Sequence, residues 1–299
     1  MKKLIPILAL TLVTAMWGST FFMIRTDALS ELSASDLLTV RFFMAAILAT
    51  VIWGRDLLRA DRKTLALGFG LGLLYGIAQL VQTIGLYTTD ASVSGFITAM
   101  YIVIVPVVAL VVFREQFKPI TWLWVALAGV GLAALSLKGW SFGTGEFLTF
   151  VGAIFFAIQV AGLSVVAPGR SAGALTTLQM WGTGAVSFFP AVSDGIQLPQ
   201  SGLVWAELIY MATVCSVGAI FLETWAQARM SSTEAALIMA TEPLFATLFA
   251  VTFGGEILTL RLAIGAAFIM TAIVSAQLTG VRPDGILEDS TKDKVRIEV

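Results

Sequence analysis

The sequence predicts an all-α membrane protein of ten transmembrane helices, arranged as two inverted five-helix repeats. Three observations carry that expectation. Hydrophobic residues make up 58% of the chain and charged residues 12%, whereas soluble domains carry about 25% charged residues. The apolar residues fall into long runs, and spans of about 20 residues with short connections fill the 299 positions about ten times. The chain also reads twice. Leu10-Thr11-Leu12-Val13-Thr14-Ala15 recurs loosely as Leu148-Thr149-Phe150-Val151-Gly152-Ala153, 138 residues later, and Ala99 to Glu115 recurs as Ala240 to Glu256, 141 residues later. An odd number of spans per copy turns the second copy upside down relative to the first, which is the architecture of alternating-access transporters. The repeats are expected at 1–140 and 141–279, followed by a disordered cytoplasmic tail at 280–299.

The first span is expected at 4–24. Met1-Lys2-Lys3 before an apolar run has the look of a secretory leader, but Ala15-Met16-Trp17 is a poor cleavage site and the run continues to Ile24, so the segment reads as an uncleaved helix. Spans at 36–53 and 64–86 follow, separated by the cationic stretch Arg55, Arg59, Arg62 and Lys63. Then come 91–113, with Pro106, and 120–137. The second copy supplies 145–166, 174–192, 202–228, 232–253 (with Pro243) and 258–278. Placing both termini in the cytoplasm leaves only Arg25, Lys138 and Arg261 on the far side, which satisfies the positive-inside rule. Most tryptophans fall near span ends, as interfacial anchors do. Trp17 and Trp181 sit deeper.

Composition removes several function classes. The chain has no His and one Cys, so the usual zinc and iron ligand sets cannot be assembled, and neither a metal nor a cofactor is expected. Cys215, in an apolar run, reads as a small packing residue. A net charge of −1 gives no electrostatic case for nucleic acid. No Walker loop, serine elbow or His-containing motif points to an enzyme. The expected partners are a small-molecule substrate and the lipid bilayer, with the chain acting as a monomer or weak dimer.

Polar groups inside the spans are the candidate site. A charge at the bilayer centre costs about 2.5–3.5 kcal/mol on insertion scales, so such residues usually face a cavity or a partner. Arg41 has two readings: snorkelling or a structural ion pair, and a cation that receives a substrate carboxylate through a bidentate pair. Gln79 and Gln82 share a face of the third span and either bond between helices or, with Trp17, Tyr101, Gln159 and Trp181, line an adaptable pocket. The repeat arithmetic pairs Gln82 with Glu223, Tyr101 with Glu242, and Arg41 with Gln179. Inversion then places Arg41 and Gln82 in the outer third, Gln179 and Glu223 in the inner third, and Tyr101 and Glu242 at the midplane, where inverted-repeat transporters bind substrate. Glu242 and Glu223 are also the candidate proton carriers, since a carboxylate in the membrane is protonated, paired or cavity-lining. Pro106 and Pro243 each remove a backbone hydrogen bond and loosen the ladder one turn away, near residues 102 and 239, giving either a static kink or a hinge in a broken helix. The glycines at Gly68, Gly70, Gly72 and Gly76 read as a face for close helix packing.

Several strings resemble the drug/metabolite transporter superfamily, in particular its ten-helix EamA-type members. They are Trp17-Gly18-Ser19-Thr20-Phe21-Phe22, Arg41-Phe42, Gln82-Thr83-Ile84-Gly85-Leu86, Leu222-Glu223-Thr224-Trp225-Ala226-Gln227, Thr241-Glu242-Pro243-Leu244-Phe245-Ala246 and Gly255-Glu256. The resemblance covers about 4–278. It implies a bacterial inner-membrane exporter of small metabolites, with amino acids and their analogues the commonest cargo. In many relatives a Gln stands where Glu223 is, and the carboxylate is expected to alter cargo or coupling. Two alternatives stay open: a proton-coupled efflux pump for lipophilic cations, and a membrane scaffold or receptor without transport.

Overall fold

A computed structural model describes residues 4–25, 29, 32–113, 119–136 and 143–279. Lys2, Lys3, Arg114, Glu115, Lys118, Lys138, Trp140 and the expected tail at 280–299 lie outside the described residues. Among those described, every regular element is helical. The first half holds α1 (Leu4–Ile24), α2 (Ala34–Arg59), α3 (Arg62–Leu86), α4 (Ala91–Thr98), α5 (Tyr101–Phe113) and α6 (Pro119–Ser136). The second holds α7 (Thr144–Val166), α8 (Ala172–Asp194), α9 (Gly202–Tyr210), a π-helical stretch Met211–Gly218, α10 (Ala219–Gln227), α11 (Ser232–Met239), α12 (Glu242–Thr252) and α13 (Leu260–Thr279).

Local chemistry sets the ends. Ser33 accepts the Asp36 N–H to start α2, Asp61 accepts the Thr64 N–H to start α3, and Ser171 and Ser201 do the same for α8 and α9. Ser231 and Glu234 form a reciprocal capping box at α11. Helix α2 runs six residues beyond the expected end at 53, with non-helical backbone angles at Trp53 marking a kink. Arg55 and Arg59 therefore sit on a helix, and the connection to α3 is only Ala60 and Asp61.

Six segments among the described residues are long and apolar enough to cross a membrane: Leu4–Ile24, Ala34–Arg59, Arg62–Leu86, Thr144–Val166, Gly202–Gln227 and Ser232–Thr252. The expected span at 91–113 is two helices, α4 and α5, broken at Ala99 and Met100. The one at 232–253 is likewise α11 and α12, broken at Ala240 and Thr241. Pro243 is at the start of α12, where its missing N–H costs no intrahelical bond, whereas Pro106 is inside α5, past the break. The span at 202–228 is a single rod whose middle widens into the π stretch.

The helices pack most extensively as α3 on α7, α2 on α8, and α3 on α8, with α6 beside α13. Helix α1 rests on α12 and α10, just as α7 rests on α5 and α3. Exchanging the two halves therefore preserves the pattern of neighbours. Glycines set the closest approaches. A Cβ on Gly72 would stand 2.6 Å from the Gln179 carbonyl oxygen, and one on Gly18 2.7 Å from the Ala246 nitrogen, so only Gly admits these helix pairs. The outward surface is apolar, with Ile5, Val51, Val111, Leu203 and Phe253 all exposed. A surface of this kind suits hydrocarbon.

Candidate functional site: a polar cavity between the halves

Both broken helices bring the first residue of their second segment to one place. Tyr101 opens α5 and Glu242 opens α12, and both line a central cavity of about 30 Å³. Arg41 from α2 and Gln159 from α7 reach the same cavity, as do Trp17 from α1 and the α3 pair Gln79 and Gln82. The cavity is about the size of one water molecule, so this conformation is closed tightly around its polar groups.

The polar atoms are held in specific ways. Arg41 is 1% exposed. Its Nε donates to Ser216 Oγ at 2.9 Å, and its guanidinium carbon lies 4.9 Å from the Phe42 ring centre. The Trp17 indole N–H donates to the Cys215 carbonyl at 3.0 Å. Gln79 donates to the Tyr75 hydroxyl at 3.0 Å, and Gln82 donates to Thr98 Oγ1 at 2.6 Å. The Tyr101 hydroxyl is buried with no hydrogen-bond partner among the described residues. Glu242 is 5% exposed and supplies the cavity's carboxylate. The site thus holds a cation, a carboxylate, three amides and a phenol without a hydrogen-bond partner among the described residues.

Aromatic rings form the remaining wall. Tyr75 contacts three of them: Trp17 at 6.4 Å between centroids, Phe42 edge-on at 6.1 Å and Phe156 edge-on at 5.5 Å. Sequence reasoning missed Tyr75. The signal was available, because Tyr75, Gln79 and Gln82 fall at i, i+4 and i+7 on one helix stripe. Thr98, Phe156 and Met239 also line the cavity and were missed for want of charge or an amide.

Two expected site residues lie elsewhere. Trp181 donates its indole N–H to Thr50 Oγ1 at 3.0 Å and packs edge-on against Phe43 at 5.7 Å, away from the cavity. Glu223 is fully buried behind the cavity wall. Its Oε1 accepts from Gln227 Nε2 at 2.8 Å, while its Oε2 has no hydrogen-bond partner among the described residues. Gln227 Oε1 accepts from Ser164 at 2.8 Å. Alongside, Gln159 donates to Gln179 Oε1 at 3.0 Å and Gln179 donates to Thr224 Oγ1 at 3.3 Å. A buried polar network of the second half therefore meets the cavity at Gln159.

The two repeat displacements now map cavity residues onto one another. Phe21 corresponds to Gln159, Thr98 to Met239 and Tyr101 to Glu242, and both members of each pair line the cavity. Among the described residues no group of three or more His, Cys, Asp and Glu side chains is placed to hold a metal ion.

The sequence profile of the EamA-like transporter family matches the chain twice, over residues 4–137 and 143–276. An uncharacterized transporter of Archaeoglobus fulgidus is 32% identical over 278 residues, which are 93% of this chain and 87% of that protein. A protein of known crystal structure superimposes with a TM-score of 0.74 at 15% identity, covering 92% of this chain and 96% of the other, and so shares its fold. The chain belongs to the EamA-like transporter family.

Proposed function

We propose that this chain is an inner-membrane exporter of small organic metabolites, amino acids or related compounds, working by alternating access around the central cavity. The observation that carries this reading is the pairing of Arg41 and Glu242 in one buried cavity, one from each half of the chain. A zwitterion presents a carboxylate that suits the guanidinium and an amine that suits the carboxylate. Rings such as Tyr75 and Phe156 then offer an apolar surface to the rest of the cargo. Cargo carrying both signs therefore meets a complementary group at each end, which favours such substrates.

The preserved neighbour pattern on exchanging the halves supports two inverted five-helix repeats, at 1–140 and 141–279, with both termini cytoplasmic. Ligand pockets are usually about 300–1,000 Å³, so a cavity of about 30 Å³ must widen before cargo enters. Rocking of one repeat against the other supplies that change, with the breaks before Tyr101 and Glu242 as the points of bending. Glu242 is the proposed proton carrier, and Glu223 a second one behind the wall.

A second reading, efflux of lipophilic cations, draws on the Trp17, Tyr75 and Phe156 rings beside Glu242, an arrangement that suits a cation. Arg41 in the same cavity repels one. Counterflow in proteoliposomes separates these readings, using amino acids, their decarboxylated amines and quaternary amines with and without a pH gradient. Exchange of amino acids supports the exporter. Exchange confined to quaternary amines overturns it in favour of the second reading, and no flux of any probe leaves a scaffold or receptor.

A further inference from the structure

Two successive residues of the π-helical stretch each hold one cavity residue. The Cys215 carbonyl takes the Trp17 indole at 3.0 Å, and the Ser216 hydroxyl takes Arg41 Nε at 2.9 Å. The same stretch meets α1 again through the Cys215 thiol, which donates to the Met16 carbonyl at 3.3 Å. The residue just before the stretch adds another tie, the Tyr210 hydroxyl to Ser19 Oγ at 3.0 Å. The corresponding stretch of the first half, 141 residues earlier, is an ordinary part of α3, where Tyr75 stands in the position of Ser216. Of these two stretches only the second, which bonds to Arg41, carries the widened turn, and π-bulges inside α-helices are frequently found at functional sites.

We propose that Ser216 is a positioning residue for substrate recognition, and that it orients the Arg41 guanidinium so that its two terminal nitrogens receive the carboxylate of the cargo. This rests on the exporter reading above. A guanidinium binds a carboxylate either end-on through both terminal nitrogens or side-on through Nε and one of them. Occupation of Nε by Ser216 removes the side-on mode and leaves the end-on fork toward the cavity that Arg41 lines. Arg41 is 1% exposed, so water cannot replace Ser216 at Nε without a rearrangement. The π turn brings Ser216 Oγ to Nε, and Ser216 thereby selects for an anionic end group without touching it.

The test uses the full chain in proteoliposomes, with L-alanine, L-leucine and L-phenylalanine as probes and the carboxamide of each, which keeps the amine and lacks the carboxylate, as its counterpart. Wild type is expected to prefer each acid over its amide. Ser216→Ala raises KM for the acids about tenfold, the scale of one hydrogen bond to a charged group. It leaves kcat and the amide KM within about twofold on that same scale, so the preference collapses. Ser216→Thr, which keeps the hydroxyl, restores it. The assignment is overturned if Ser216→Ala weakens acids and amides alike, if it leaves the preference intact, or if Ser216→Thr behaves as Ser216→Ala does. A wild type that exchanges none of the acids overturns the exporter reading and this inference together. A wild type that prefers acids while Ser216→Ala is unaffected overturns the inference alone.

Discussion

Tyr101 and Glu242 are the first residues of the second segments of two broken helices, 141 positions apart, and they line one cavity. A helix break frees backbone groups at the place where a side chain must point inward. The two copies have kept the break and changed the side chain. One presents a neutral phenol without a hydrogen-bond partner among the described residues, the other a carboxylate. The asymmetry therefore lies in the chemistry of an otherwise repeated device.

Glu242→Gln keeps the shape of that device and removes its charge. Charge-assisted hydrogen bonds contribute about 1.5–3 kcal/mol, so the affinity for amine-bearing cargo should fall by about tenfold to a hundredfold. Cargo analogues lacking the amine should be unaffected. Counterflow of L-phenylalanine against 3-phenylpropionate in proteoliposomes checks this. If Glu242 also carries the coupling proton, an imposed pH gradient accelerates wild type and not Glu242→Gln. Transport indifferent to the gradient in both would sink the coupling role.

Much of this site was legible in the sequence. Repeat arithmetic alone paired Tyr101 with Glu242, and intramembrane polarity alone named Arg41, Gln79, Gln82 and Gln159. The failures have physical causes. Depth in a span does not say which side of the helix a ring leaves from, so Trp181 was grouped with the cavity although it bonds to Thr50. A π turn differs from an α turn by about one residue, which hydropathy cannot resolve, and the role of Ser216 stayed hidden with it. The ladder was expected to loosen one turn before each proline, near 102 and 239, and the breaks fall at 99–100 and 240–241. Only Pro243 marks its break closely, because Ala and Met leave no trace of the other.

The glycines of α3 give a matched pair. Gly72→Ala drives a methyl to within 2.7 Å of the Gln179 Cα, backbone that cannot step aside. Overpacking of this kind costs about 1–3 kcal/mol, and the thermal unfolding midpoint in detergent should drop. Gly70→Ala meets nothing within 4 Å. It should be neutral or gain up to about 1 kcal/mol from helix propensity. Equal destabilisation by both would contradict the close packing of α3 on α8.

Glu256 closes the far end of the broken helix. Its Oε1 accepts the Ala91 N–H at 3.0 Å, tying the segment after α12 to the first turn of α4 in the other half. A carboxylate at a helix N-terminus contributes about 0.3–1 kcal/mol through the dipole alone, and loss of a capping acceptor costs about 0.5–2 kcal/mol. Glu256→Gln should therefore lower stability slightly and Glu256→Ala more. Denaturation of the purified variants in one detergent checks the order, and an Ala variant as stable as wild type would remove the cap from the account.

Asp61 lets the two-residue connection between α2 and α3 be tested by pH. Hydrogen bonds from Thr64, the side chain first and the backbone N–H second, hold its carboxyl below the usual carboxylate range, with Arg170 assisting. The Thr64 N–H lies 3.0 Å from Asp61 Oδ1, and Arg170 Nε donates to Thr64 Oγ1 at 3.1 Å, so the cap also ties this turn to the one between α7 and α8. A depressed folded-state pKa means the stabilising contribution is complete above the ordinary carboxylate pKa. It fades as pH falls through the lower, folded value. Stability in detergent should thus be flat in Asp61 across neutral pH and decline in the acid range, while Asp61→Asn, which still caps the helix but does not titrate, loses that part of the acid decline. An identical acid profile for Asp61→Asn and wild type would show that the carboxylate form is not what the Thr64 bonds select.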